Sequence, residues 1–174
     1  MIKLVSFIKN NVIRPIMRWY YTLRVKISCF SYLEPLKVNH KSYVSKNTIL
    51  GSNVNFNGMR IIGGGKVIIG NNFHSGQDCM MINEYHKYND GNAIPYDLTE
   101  VILKDIIIED NVWIGSRVLI LGGITIGEGA IIQAGSTVVS DIPKYAIVGG
   151  HPAKVFKYRD IKHYEKLKME GKFG

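Results

Sequence analysis

Aliphatic residues recur every six positions through the C-terminal half of the chain: Ile102, Ile108, Ile114, Ile120, Ile126, Ile132 and Val138. A period of six matches neither an α-helix nor the simple alternation of a strand. It fits a solenoid whose coil has three short flat sides, one hexapeptide to a side. Two residues before the later aliphatics stands a second apolar or small residue: Ile106, Val112, Val118, Ile124, Ala130 and Ser136. Turn formers follow two and three residues after, among them Asp110-Asn111, Gly122-Gly123, Glu128-Gly129 and Ala134-Gly135. Gly, Asn and Asp accept the positive φ of a tight corner. The pattern therefore predicts an all-β parallel β-helix of about five triangular coils.

The same phase reaches back to Val38 through Val44, Leu50, Phe56 and Ile62. A step of seven then leads to Ile69, with the extra residue assigned to Gly63-Gly64-Gly65. Ile69, Ser75 and Met81 continue the phase, with Val67, Phe73 and Cys79 as inward companions. From Met81 to Ile102 is 21 residues, which is not a multiple of six. A loop over residues 83–101 must leave the coil there, and its polar, aromatic, Gly/Pro-punctuated sequence agrees. Long loops on rigid scaffolds usually carry function.

Residues 1–37 form a separate helical element, with Leu4, Phe7, Ile8, Val12, Ile13, Ile16, Met17, Tyr20 and Leu23 at helical spacing and Pro15 as a kink or restart. It reads as a cap on the open end of the coil, and alternatively as a helix lying on an anionic membrane surface. Residues 38–150 hold the repeats. Residues 151–174 are basic, with a helix presenting Phe156, Ile161, Tyr164 and Leu167 on one face.

A hydrophobic content of 46% and a charged content of 21% describe a single soluble domain in 174 residues. Of the net +8, six charges lie in residues 1–30, which contain no acid. The coil is near neutral, which argues against a nucleic-acid groove. No apolar run reaches the ~18 residues of a membrane span. Cys29 and Cys79 form no disulfide framework or zinc ribbon, which suits a reducing cytoplasm. Cys79 reads as a buried hydrophobe, a poor candidate for covalent catalysis.

The runs Asn111-Val-Trp113-Ile-Gly115, Gly123-Ile-Thr-Ile-Gly127, Ala134-Gly-Ser136, Asp141-Ile-Pro143 and Gly149-Gly-His-Pro-Ala-Lys154 resemble the hexapeptide-repeat acyltransferases, in the branch of galactoside, maltose and xenobiotic acetyltransferases. The loop from Asn83-Glu-Tyr-His86 to Ile94-Pro-Tyr-Asp97 is similar to that of sugar and polysaccharide O-acetyltransferases there. The resemblance covers about residues 40–160 and implies a left-handed coil, a homotrimer with clefts shared between subunits, and acetyl-CoA as co-substrate. It departs at Val139-Ser140, where the family has Thr-Lys, and at His151, where the family has Asn.

Acyl transfer from a thioester to a hydroxyl needs a base, oxyanion donors and an aligned donor molecule. An imidazole titrates near neutral pH, and the resemblance makes His86 the base. Glu84, Asp90 and Asp97 are candidates to orient it. His74, Asn83 and Tyr96 join them as candidates for acceptor binding. For the CoA site the resemblance implies Trp113, Gly115, Ser116, Ala134, Gly135 and Ser140, with Lys154 and Arg159 for phosphate. Histidine spacings of 12 (His74 to His86) and 65 (His86 to His151) fit no zinc triad of the hexapeptide carbonic anhydrases, so no metal is expected. An N-acetyltransferase of an amino sugar or antibiotic is the alternative enzyme, and a non-catalytic β-helical interaction protein the alternative outside enzymes.

Overall fold

Three parallel sheets stack along the repeats and enclose one apolar core. The computed structural model describes residues 2–174, and side chains from residue 5 onward. The first face stacks Ser31–Tyr32, Thr48–Leu50, Val67–Ile69, Ile106–Ile108 and Ile124–Ile126. The second stacks Leu36–His40, Val54–Asn57, His74–Gln77, Trp113–Ile114, Ile131–Ile132 and Ala146–Gly149, and ends in the antiparallel Lys154–Tyr158. The third stacks Arg60–Ile62, Met80–Ile82, Leu119–Leu121 and Thr137–Val138. In the regular region, partners lie one coil apart: Ile106 with Ile124, Trp113 with Ile131, Leu119 with Thr137. The second face reaches six parallel rungs because Ala146–Gly149 continues the coil past Asp141-Ile-Pro143, beyond where the repeat pattern ends.

Ile108, Ile114, Ile120, Ile126, Ile132 and Val138 all point into the core, with their companions Ile106, Val112, Val118, Ile124, Ala130 and Ser136. Two expected inward residues do not. Ile102 is 38% exposed, because it belongs to the inserted segment and the coil resumes only at Ile106. Ile62 is 42% exposed, whereas Ile61 is 5% exposed and fills the core position. Gly58, at φ +95, turns the corner one residue early, where the register between Val54–Asn57 and His74–Gln77 also slips. The step before Ile61 is therefore five and the step after it eight.

The corner between the first and second faces shows why Asn recurs. Asn53, Asn72 and Asn111 all hold positive φ, at 56, 56 and 61°. Their side-chain amides form a ladder, Asn53 to Asn72 at 3.0 Å and Asn72 to Asn111 at 2.8 Å, which ends on Glu128. Asn tolerates the left-handed backbone and its amide both donates and accepts, so one residue type serves each coil.

At the N-terminal end, Arg14–Ser28 is an α-helix that buries Val25, while the Thr22 hydroxyl accepts from the Val38 amide. Pro15 has no N–H to offer the preceding turn, and Lys9–Ile13 widens into a π-helix there, with the Arg14 amide donating to the Lys9 carbonyl. At the other end, Ile161–Met169 starts on Asp160, whose carboxylate accepts from the His163 amide. Phe156 does not share this helix's face; it lies on the strand Lys154–Tyr158 and is exposed.

Candidate functional site

The inserted segment is an antiparallel ribbon, Glu84–Lys87 against Asp97–Leu103, with His86 opposite Val101 and Tyr85 opposite Ile102. It leaves the coil at the corner between the third and first faces. Its two ends are clipped together where the Lys104 amide donates to the Asn83 carbonyl at 2.9 Å. Asn83 is fully buried at this root: its amide donates to the Ile62 carbonyl and its Nδ2 to the Gly65 carbonyl. Among the described residues, its Oδ1 is a buried acceptor without a donor. The Tyr85 hydroxyl accepts from the Gly122 amide at 3.0 Å and ties the ribbon to the next coil. Tyr85 carries no signal in the sequence for this role, because the contact spans 37 residues and no local spacing marks it.

His86 stands exposed on the ribbon and stacks on Tyr96, ring centres 4.3 Å apart and planes 14° from parallel. Neither Glu84 nor Asp97 turns to it. Glu84 accepts from the Gly64 amide at 2.8 Å. Asp97 is buried and accepts from the Asn92 amide and from the amide and hydroxyl of Thr99. These donors pull the Asp97 carboxyl down to about 2, the Thr99 hydroxyl contributing most. Asp90 lies exposed beyond the ribbon strands. Lys87 pairs with Glu100 at 2.9 Å across the ribbon.

Because the Asp97 carboxyl is held below its ordinary 3.8, its contribution to order is present above that value and lost as pH falls through about 2. Asp97→Asn keeps the shape but weakens the charge-assisted bonds. It should speed hydrogen exchange at the Asn92 and Thr99 amides at neutral pH while leaving the coil's exchange unchanged. Unaltered protection at both amides would show that the carboxylate does not hold this turn.

A second group of candidates lies along the second face and its corner with the third. Trp113 projects outward, 50% exposed, between His74 and Ile131 of the adjoining rungs. Past it, Gly115 packs so closely under the next coil that a Cβ would stand 2.4 Å from the Ala134 nitrogen. The Ser116 hydroxyl accepts from the Gln77 amide, and the Ser116 carbonyl accepts from Gly135. Among the described residues, the amides of Ser116 and Ala134 donate to no protein acceptor. Lys154 pairs with Gly149 at the end of the same face, near His151, whose Nδ1 lies 2.6 Å from the Thr137 hydroxyl oxygen.

Two candidates fall elsewhere. Ser140 lies exposed on the ribbon's corner, across the third face from Ala134. Arg159 sits at the remaining corner, where its Nε donates to the Gly129 carbonyl and its guanidinium lies over the Tyr164 ring. One chain thus presents the imidazole at one edge of the third face and the open amides at the other. Among the described residues, no three His, Cys, Asp or Glu side chains converge as a metal site.

Residues 105–140 match the family described as bacterial transferase hexapeptide (six repeats). Over these residues the chain carries the hexapeptide repeat of that family. Its fold is shared with a maltose O-acetyltransferase from Clostridium difficile 630, at 27% identity and a TM-score of 0.58 over 75% of this chain and 66% of that one. It is also shared with a galactoside acetyltransferase in complex with coenzyme A, at 27% identity and a TM-score of 0.60 over 79% and 63%. A chloramphenicol acetyltransferase of Klebsiella aerogenes is 36% identical over 109 residues, with 54% of this chain and 52% of that relative covered. The chain spans between about a quarter and a half of the curated relatives it matches.

Proposed function

We propose that the protein is an acetyl-CoA-dependent O-acetyltransferase that acts on a sugar hydroxyl in capsule or O-antigen synthesis, as a cytoplasmic homotrimer. The observation that carries this reading is the division of labour across the third face: an imidazole on one edge, unpartnered amides beside Trp113 on the other. Packing the ribbon edge of one copy against the amide edge of the next completes a cleft, and three-fold symmetry closes the assembly. The outward residues of the third face between those edges, Ile62, Ile82, Leu119 and Leu121, suit such an interface. Maltose and galactoside acetyltransferases among the structures of the same fold support the sugar hydroxyl as acceptor.

In this reading the neutral His86 imidazole takes the proton of the acceptor hydroxyl as the oxygen attacks the thioester carbonyl. The tetrahedral intermediate collapses with loss of the CoA thiolate, which receives the proton from the imidazolium. No acyl-enzyme forms. Cys79, the buried thiol, has its pKa raised by burial and is withheld from covalent chemistry. Tyr96 keeps the imidazole ring in its plane by stacking, in place of a carboxylate. The Ser116 and Ala134 amides bind the amide-bearing arm of CoA, Trp113 walls it, and Lys154 meets phosphate.

Calorimetry tests the donor half. Coenzyme A should bind saturably and more weakly as salt is raised, because phosphates are held by cations. Trp113→Ala should raise the Kd about tenfold, roughly 1.4 kcal/mol, without altering the fold, since the ring points outward. Absence of binding at millimolar coenzyme A would overturn the reading. The similarity to a chloramphenicol acetyltransferase favours a second reading, acetylation of an antibiotic; activity on chloramphenicol exceeding that on every glycoside would establish it instead.

A further inference from the structure

The helix Arg14–Ser28 has two unlike faces. One lies on the end of the coil: Val25 is buried there, with Tyr21 packed on the core beside it. On the other side stand Ile16, Trp19, Tyr20, Leu23 and Ile27, between 38% and 76% exposed. At 100° per residue these five fall within a sector of about 100°, centred nearly opposite Val25. Arg24 and Lys26 border that sector on either side. Phe30, just past the helix, is exposed as well.

Exposed apolar surface of this extent, continuous along one helix face, marks a contact site. The charge around it selects the occupant. Lys9, Arg14, Arg18, Arg24 and Lys26 lie within residues 5–30, which contain no acid. Glu34 pairs with Lys26, and the other four have no carboxylate partner among the described residues; Arg24 borders the apolar sector, whereas Arg14 and Arg18 fall on the Val25 side of the helix. Two copies of this face brought together would bring unpaired Arg24 side chains to one contact with no acid of the helix to offset them. An anionic lipid surface instead takes the apolar residues into its acyl boundary, Trp and Tyr at headgroup depth and the long basic side chains against phosphates. No helix among the described residues is long and apolar enough to cross a membrane, which fits a helix lying flat.

We infer that the outer face of Arg14–Ser28 docks on an anionic membrane surface, with the coil standing on its first turn. The inference is independent of the acyl-transfer reading, and its test reads binding alone. The full chain is sedimented with phosphatidylcholine vesicles, with or without phosphatidylglycerol. It should partition onto the phosphatidylglycerol vesicles, at least tenfold less onto the neutral ones, and progressively less as salt rises. Trp19→Glu and Ile27→Glu change exposed positions, so thermal unfolding should be unchanged while vesicle binding falls by tenfold or more. No sedimentation with phosphatidylglycerol vesicles, or equal binding to both kinds, would overturn the inference. A fall in solution mass in Ile27→Glu, with vesicle binding intact, would make the stripe a contact between copies and overturn it too. Coenzyme A release with a soluble acceptor is measured on the same samples, so a failure of lipid binding is read separately from a failure of catalysis.

Discussion

His86→Ala should lower turnover by about 10²–10⁴, the usual worth of a positioned general base, and leave coenzyme A binding nearly unchanged. The side chain is exposed on a ribbon that the coil carries but does not need for its own packing, so the variant should fold. The ring contacts Tyr96 and no carboxylate, which makes its loss a loss of chemistry with little structural consequence. His74→Ala provides the contrast. His74 lies on the second face between Asn55 and Trp113, away from the ribbon that carries His86, so its loss should spare the proton transfer and act through binding. Steady-state kinetics with saturating acetyl-CoA separate the two variants. Equal losses of kcat would mean that the base is misassigned.

Phe56→Ala should destabilise the coil by about 3–5 kcal/mol, the range for emptying a buried aromatic site. Phe56 and Phe73 meet edge to face, ring centres 5.9 Å apart, and both are fully buried. They sit in neighbouring coils, so removing one ring leaves a void that opens onto the other and also forfeits the edge-to-face contact. Short strands joined by tight corners have little freedom to close the gap. Denaturant unfolding of the variant should show the loss as a lower midpoint, whereas the outward Trp113→Ala should shift it little. A cost for Phe56→Ala below about 1 kcal/mol would show that the coil collapses around the hole, contrary to the rigid packing described.

The coil was legible because each inward position is a hard requirement: an aliphatic residue at the core position and a small or Asn/Gly residue at the corner, repeated with little freedom. The phase misled at one early corner and once inside the insertion. At Gly58 the turn closes one residue early, and Ile61 takes the core position that spacing gave to Ile62. Ile102 kept the phase by coincidence, since the insertion extends to Leu103 and its last strand is paired with Glu84–Lys87 instead of with the coil. That a loop must leave the repeats followed from arithmetic, but its ribbon form did not, because a two-stranded ribbon with polar and aromatic residues has no single buried face to impose alternation. The placement of the candidate residues was legible in part. The outward Trp113 and the small residues beside it follow from strand alternation and corner spacing. Which carboxylates are already engaged, as Glu84 is by Gly64 and Asp97 by Thr99, depends on contacts that only the folded ribbon creates.

Coenzyme A release from acetyl-CoA in the presence of a panel of glycosides, with the acetylated product analysed for its linkage, separates acyl transfer to a hydroxyl from transfer to an amine and from no transfer. Release should depend on the acceptor and yield an alkali-labile acetyl ester on a sugar hydroxyl, and His86→Ala should lower it by the factor given above. An alkali-stable amide formed only on amino sugars, or no release above spontaneous hydrolysis with any acceptor by a protein that binds coenzyme A, would contradict transfer to a sugar hydroxyl.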